Sequence, residues 1–259
     1  MIILFTICGR AGSKGVKNKN IREFLGSPLP YYTLSAIDLF IKQNPKYKCI
    51  IALNTDSKEL ENLVINGTKL PIQFVVRKEE LGRDDTPKIA VIADTFKQLQ
   101  DENNCKFDIV VDLDITSPLR TVKDIENLVT TKEREQADVV FSVTKSRRNP
   151  YFNMVKKTGD CYERVFTSQY NTRQAAPPIF DMNASLYAYS PVFLASGKGI
   201  FEGFCKIITM KDTGILDIDS EEDFKLLEVL AFYFFNNESG YKEIFTNLNC
   251  IILRREVSW

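Results

Sequence analysis

The segment from Gly9 to Arg22 carries Arg10, Lys14, Lys17, Lys19 and Arg22, with Gly9, Gly12 and Gly15 interleaved and no acidic residue. Glycines let backbone N–H groups approach an anion closely, and the cations neutralise it, so the pattern suits a phosphate-rich ligand. A merely solvated basic loop is the competing reading. The segment is neither G-x-x-x-x-G-K-[ST] nor G-x-G-x-x-G, so a Walker loop and the dinucleotide fingerprint are both excluded. Two acidic pairs stand elsewhere, Asp112-Leu113-Asp114 and Asp217-Ile218-Asp219. In an extended chain such i, i+2 side chains share one face, their roots roughly 7 Å apart. That spacing lets both oxygens meet one hard cation, and Mg²⁺ combines few carboxylates with phosphate oxygens. For the second pair the alternative is an acidic helix start, since Ser220 is followed by Glu221, Glu222 and Asp223.

Composition narrows the chemistry. The 259 residues include no histidine, which removes Ser-His-Asp and Cys-His nucleophiles and histidine metal ligands. Lys+Arg 34 against Asp+Glu 34 gives no basic excess for a general nucleic-acid binder. Six cysteines (Cys8, Cys49, Cys105, Cys161, Cys205, Cys250) form no C-x-x-C pair and read as reduced, mostly buried thiols. No apolar run reaches the ~20 residues of a membrane span, and the N-terminal IILFTI is too short for a signal peptide. A cytoplasmic protein without membrane or nucleic-acid partners is expected.

The motifs, in order, resemble the acylneuraminate cytidylyltransferases (CMP-sialic acid synthetases). GRAGSKGVKNKNI is similar to that family's N-terminal signature, usually close to ARGGSKGIPxKNI. NTDS follows at Asn54 to Ser57, R-x-x-x-L-x-x-D-x-T at Arg77 to Thr86, and TSPLR at Thr116 to Arg120. TRQ at Thr172 to Gln174, DMNASLY at Asp181 to Tyr187 and DIDSEEDF at Asp217 to Phe224 complete the set, which spans about residues 1 to 234. The last 25 or so residues match no motif of the family.

The resemblance implies transfer of CMP from CTP to a nine-carbon 2-keto acid sugar, with pyrophosphate released and Mg²⁺ as cofactor. It implies nucleotide contacts from Gly12, Ser13, Lys14, Asn20, Arg77 and Asp84, with Arg10 and Lys19 offsetting triphosphate charge. Asp217 and Asp219 would hold Mg²⁺, whose acidifying effect on a hydroxyl makes a histidine base unnecessary. Arg173, Gln174, Asn183 and Tyr187 would lie toward the sugar. Arg147 and Arg148 read instead as an exposed pair. Asp114 departs from the family, which often has Gln there followed by Pro where this chain has Ile115. An ionised carboxylate accepts hydrogen bonds but cannot donate, and it repels an anionic sugar unless a cation faces it. With LDITSPLR, RRNPYFN and DMNAS resembling the branch that activates legionaminic acid, a diacetamido sugar is expected. A CMP-N-acetylneuraminate synthetase, a synthetase for 3-deoxy-manno-octulosonate, and a non-catalytic anion-binding relative are the alternatives.

The elements needed to position these residues are legible as alternating buried strands and helices. Ile2 to Ile7, CIIALN, PIQFVVR, FDIVVDLD and ADVVFSV read as strands, SLYAYS and KIITM as later ones. Ser27 with Pro28, and Thr86 with Pro87, read as helix caps followed by proline at the first turn; Asp56 or Ser57, and Thr121 with Asp124, open two more helices. SEEDFKLLEVLAFYFF is a last helix. This is α/β, Rossmann-like: right-handed βαβ units, a mostly parallel sheet with helices on both faces, and a small antiparallel β insertion, as in nucleotide-diphospho-sugar transferases. One domain, residues 1–259, is expected, with 146–182 as a dimerisation insertion built on a hairpin turning at Lys157 to Asp160, hence a homodimer.

Overall fold

In β1 (Ile2–Gly9), Ile3, Phe5 and Ile7 join one apolar cluster while Ile2, Leu4 and Cys8 join another. A strand whose alternate side chains are all buried must have helices over both faces. The computed structural model describes residues 1–12, 15–83, 85–214 and 217–253. After β1 come a short hairpin, β2 (Glu23–Phe24) and β3 (Ser27–Pro28), then α1 (Leu29–Gln43), β4 (Lys48–Thr55) and α2 (Lys58–Gly67). β5 (Ile72–Val76), α3 (Lys88–Glu102), β6 (Ile109–Leu113), α4 (Val122–Glu135) and β7 (Val139–Lys145) follow. The remainder is β8 (Val155–Thr158), β9 (Cys161–Arg164), β10 (Phe180–Tyr189), α5 (Pro191–Ala195), β11 (Cys205–Thr209), α6 (Glu221–Asn237) and α7 (Ser239–Ile251).

Among the described residues, seven strands form one sheet in the order β11-β7-β10-β6-β1-β4-β5, with β10 antiparallel to both neighbours. Residues of α1, α2, α4, α6 and α7 cover one face, and residues of α3 and α5 cover the other. The crossovers β1–α1–β4 and β6–α4–β7 use the same face but travel in opposite directions along the sheet, so they have opposite hands. The expectation of uniformly right-handed units therefore fails for one of them. Arg120, just ahead of α4, ties this connection to α1: it is fully buried and donates to Thr33 Oγ1 at 3.1 Å.

Two helix starts differ from expectation. Ser27 pairs with Phe24 in the β2–β3 hairpin, so Pro28 is the cap of α1 and Pro30 the proline of its first turn. Likewise Pro87 caps α3, while Thr86 Oγ1 donates to the Glu80 carbonyl. Thr121 and Ser220 do form reciprocal capping boxes with Asp124 and Asp223, and Ser57 accepts from Leu60 N. α7, which the family motifs did not reach, buries Tyr241, Ile244, Leu248 and Ile251. It is bolted to α1 by Asn247, which donates to Asp38 at 2.8 Å. The hairpin β8–β9 turns at Thr158↔Cys161, where Gly159 has φ 61, a left-handed conformation that suits glycine. The six cysteines are unpaired; none is fully buried, and Cys161 and Cys250 are exposed.

Candidate active site

At the carboxyl ends of β1, β5 and β6 the loops enclose a cleft of about 410 Å³, the place where open α/β sheets bind ligands. Arg10, Gly15, Lys19, Asn20, Arg77, Asp114, Asp217 and Asp219 share its wall. The basic loop is held by its own sequence. Val16 plugs into the core at 1% exposure, and Ala11 N donates to Asp56 Oδ1 at 2.8 Å. Asn20 Nδ2 donates to the Arg10 carbonyl at 3.0 Å, closing the loop on itself. A Cβ on Gly15 would stand 2.0 Å from the Asp219 carbonyl oxygen, so the loop lies directly on the second acidic pair. Lys19 completes that contact, donating to the Ile218 carbonyl with Nζ 3.9 Å from Asp219 Oδ1. Arg22 is spent elsewhere: it pairs with Glu221 and lies over the Phe224 ring at 3.9 Å. Ser13, Lys14 and Asp84 lie outside the described residues.

Asp217-Ile218-Asp219 forms a loop rather than a strand, yet its alternation survives. Ile218 is fully buried, while Asp217 is half-buried and Asp219 exposed. Asp217 Oδ1 accepts from Ile218 N at 2.7 Å and from Thr116 Oγ1. Burial, reinforced by the nearby charge of Asp114, raises its carboxyl above the ordinary range. Arg77, 7% exposed, is clamped by Asn54: Nε donates to Oδ1 at 2.9 Å and Nη2 to the carbonyl at 3.2 Å. Burial lowers its pKa from the usual arginine value, and Asn54 is itself fixed by Thr95 Oγ1 at 2.9 Å.

The first acidic pair holds a cation that the sequence reading did not single out. Lys88, at the start of α3, places Nζ 2.7 Å from Asp112 Oδ2 and 2.6 Å from Asp114 Oδ2. Asp112 Oδ1 accepts from Thr6 Oγ1 at 2.9 Å and Asp114 Oδ1 from Thr116 N at 2.8 Å; the Thr116 hydroxyl lies between Asp114 Oδ1, at 2.6 Å, and Asp217 Oδ1, and its single proton serves one of them at a time. Burial would push Asp114 up, but Lys88 and the Thr116 donors outweigh it and hold the carboxyl well below the usual range. Lys88 shows the converse: burial opposes its charge, yet the two carboxylates keep its pKa well above normal. Cys8 lines the cleft too, but burial and Asp112 raise its thiol pKa, which disfavours the thiolate.

Four expected sugar-side residues are not brought into this wall. Arg173 donates to the Ser146 carbonyl and, with Gln174 and Arg148, lines a second hollow beyond β7. The chain between β9 and β10 runs past the end of β7, which carries both residues away. Asn183 is buried, accepting from Ser142 Oγ at 2.6 Å, so it braces the irregular stretch of β10 between Met182 and Tyr187. Tyr187, opposite Asp112 in the sheet, stacks on Tyr189 at 6.0 Å between centroids. Arg147 is an exposed residue paired with Asp212 at 2.6 Å.

A mostly parallel sheet ending in a basic loop that packs on a carboxylate pair defines a nucleotidyltransferase. The cytidylyltransferase family profile matches residues 4–239, and the chain belongs to that family. It is 34% identical over 229 residues to post-translational flagellin modification protein B of Campylobacter coli, covering 88% of this chain and 94% of that one. It is 33% identical, with the same coverage, to CMP-N,N'-diacetyllegionaminic acid synthase of Campylobacter jejuni. In fold it is similar to CMP:2-keto-3-deoxy-manno-octonic acid synthetase complexed with CTP (TM-score 0.61, 13% identity, 90% of this chain and 99% of that chain).

Proposed function

We propose that the cleft binds CTP beside a nonulosonic acid and joins them, the sugar's anomeric hydroxyl attacking the α-phosphorus with release of pyrophosphate. The observation that carries this reading is the seating of the basic loop on the second acidic pair through Gly15 and Lys19. It puts cations for a triphosphate and carboxylates for a metal within one cleft. In such transfers the protein mainly positions the reactants and offsets charge. Arg10, Lys19, Asn20 and Arg77 serve the nucleotide, as would Gly12, Ser13, Lys14 and Asp84 of the flanking loops.

Asp217 and Asp219 fit a divalent cation such as Mg²⁺. Among the described residues Asp217 Oδ2 has no protein donor, and burial with the nearby charge of Asp114 raises the carboxyl above its ordinary range despite Lys19. Two carboxylates completed by phosphate oxygens and water is a coordination Mg²⁺ accepts. Such an ion supplies charge neutralisation at the phosphate and a lowered pKa for a nearby hydroxyl.

The sugar we assign is legionaminic acid or a related diacetamido acid. The similarity to a CMP-N,N'-diacetyllegionaminic acid synthase and the presence of Asp114 support it. Pyrophosphate release from CTP, measured with a panel of nonulosonic acids, tests both levels. The diacetamido acid should give a higher kcat/KM than N-acetylneuraminic acid; the reverse order overturns the sugar assignment, and no release with any acid overturns the reaction. The protein acts in the cytoplasm, which its unpaired cysteines favour, as a homodimer whose contact includes the β8–β9 arm.

A further inference from the structure

Lys88 sits where neither the loop cations nor the metal-type carboxylates are, and its hydrogen-bond count is incomplete. An ammonium has three N–H donors directed away from one another. One donates to Asp114 Oδ2 at 2.6 Å; Asp112 Oδ2 lies 2.7 Å away as an ion-pair contact outside hydrogen-bond alignment, and among the described residues no other acceptor meets the ammonium. The side chain is one-third exposed and lines the cleft, so donor capacity that Asp114 does not use is open to the space where ligand binds. From this geometry we propose that Lys88 is a sugar-binding, specificity-determining residue, donating an N–H that Asp114 leaves free to a neutral acceptor oxygen, hydroxyl or amide carbonyl, of the sugar acid.

Charge decides between sugar and phosphate. Asp112, Asp114 and Lys88 together carry a net charge of −1, so the cluster offers a polyanion no net attraction. What it offers is direction: an ammonium pinned by two carboxylates has lost its freedom to swing and donates along one fixed line. A site built to hydrogen-bond one substrate group rejects analogues lacking it far more strongly than an apolar pocket could. Position agrees. Asp114 and Asp217 both lie against the Thr116 hydroxyl, so Lys88 stands at the β6 end of a polar cluster that reaches the metal-type pair. The triphosphate cations Arg10 and Lys19 come from the loop after β1 instead.

This inference rests on the reading of the cleft as a CTP and sugar-acid site, and the test separates the two. Steady-state kinetics would compare wild type, Lys88→Met and the charge-balanced double variant Lys88→Met/Asp114→Asn, with Tm recorded for each. Lys88→Met should raise KM for the sugar acid at least tenfold while KM for CTP stays within twofold. The double variant restores the net charge, and with it Tm, but leaves the sugar KM raised, because the donor is still missing. If the double variant brings the sugar KM back to within twofold of wild type, Lys88 merely neutralises carboxylates and the proposal fails. It fails equally if Lys88→Met leaves that KM unchanged or raises the KM for CTP as much. A wild-type protein that releases no pyrophosphate with any sugar acid overturns the functional reading and this inference with it.

Discussion

Asp219 is the more exposed member of its pair, with a side chain 83% accessible, and Lys19, the cation that meets it among the described residues, stands off at 3.9 Å. A carboxylate so placed contributes little to folding, because exposed ion pairs are worth at most about 1 kcal/mol. Ligation is the use proposed for it above. Asp219→Asn keeps the size and removes the charge, so the Mg²⁺ concentration for half-maximal turnover should rise at least tenfold with Tm almost unmoved. A metal titration indistinguishable from wild type would leave the pair as nothing more than a helix start. Much of this site was readable in the sequence because the loop residues and Asp217-Ile218-Asp219 lie in short runs whose spacing displays their chemistry. Lys88 was not, since its partner Asp114 is 26 positions away and the pairing exists only once α3 and β6 are side by side. Asn54 escaped for the same reason: it sat in a quoted motif, but its grip on Arg77 spans 23 positions.

Elements were legible where their signal was local. The capping boxes of α4 and α6 need four consecutive residues, and both form as expected. The proline-marked starts of α1 and α3 each slipped by a residue or more, because a proline can stand at the cap as well as inside the first turn. α7 had its own signal, apolar residues at 241, 244, 248 and 251, but lay beyond the family motifs. The joint between elements rests on Arg120. Its guanidinium donates to Thr33 Oγ1, to Ser185 Oγ at 3.3 Å and to the carbonyls of Asp114 and Ser117, tying α1, β10 and the β6–α4 loop together. Burial pushes its pKa down to about 10, against the pull of Asp114, so it stays charged at neutral pH. Arg120→Lys keeps the charge but loses the planar fork, leaving buried acceptors unserved at a cost of about 3 kcal/mol. For a chain of this size that is a fall in Tm of roughly 6–12 °C. A midpoint within 2 °C or so of wild type would show that a point charge suffices there.

At the scale of the whole molecule, alternating strands and helices gave the class of fold, but strand order is a property of pairing between distant segments. Nothing local announces that β10 inserts between β6 and β7, or that one crossover takes the opposite hand. The hairpin β8–β9 is a part whose local pattern points outside the chain. It forms its own two-stranded sheet apart from the main one, and its strands are exposed almost throughout. An isolated hairpin is marginally stable in water and needs a surface to pack on. At its base Tyr151 packs against Phe166 at 5.0 Å and Tyr170 at 6.3 Å between centroids, which fixes where the arm leaves the body. Farther out, Val155 is 63% and Tyr162 71% exposed, apolar area that a second copy would cover. Light scattering at micromolar concentration should therefore give twice the chain mass of 29.6 kDa. Tyr162→Arg, a change on an exposed strand with no core contact to lose, should shift the protein toward the monomer while leaving its Tm at low concentration little changed. A wild-type protein that runs as a monomer with full turnover would show that the arm serves something other than self-association.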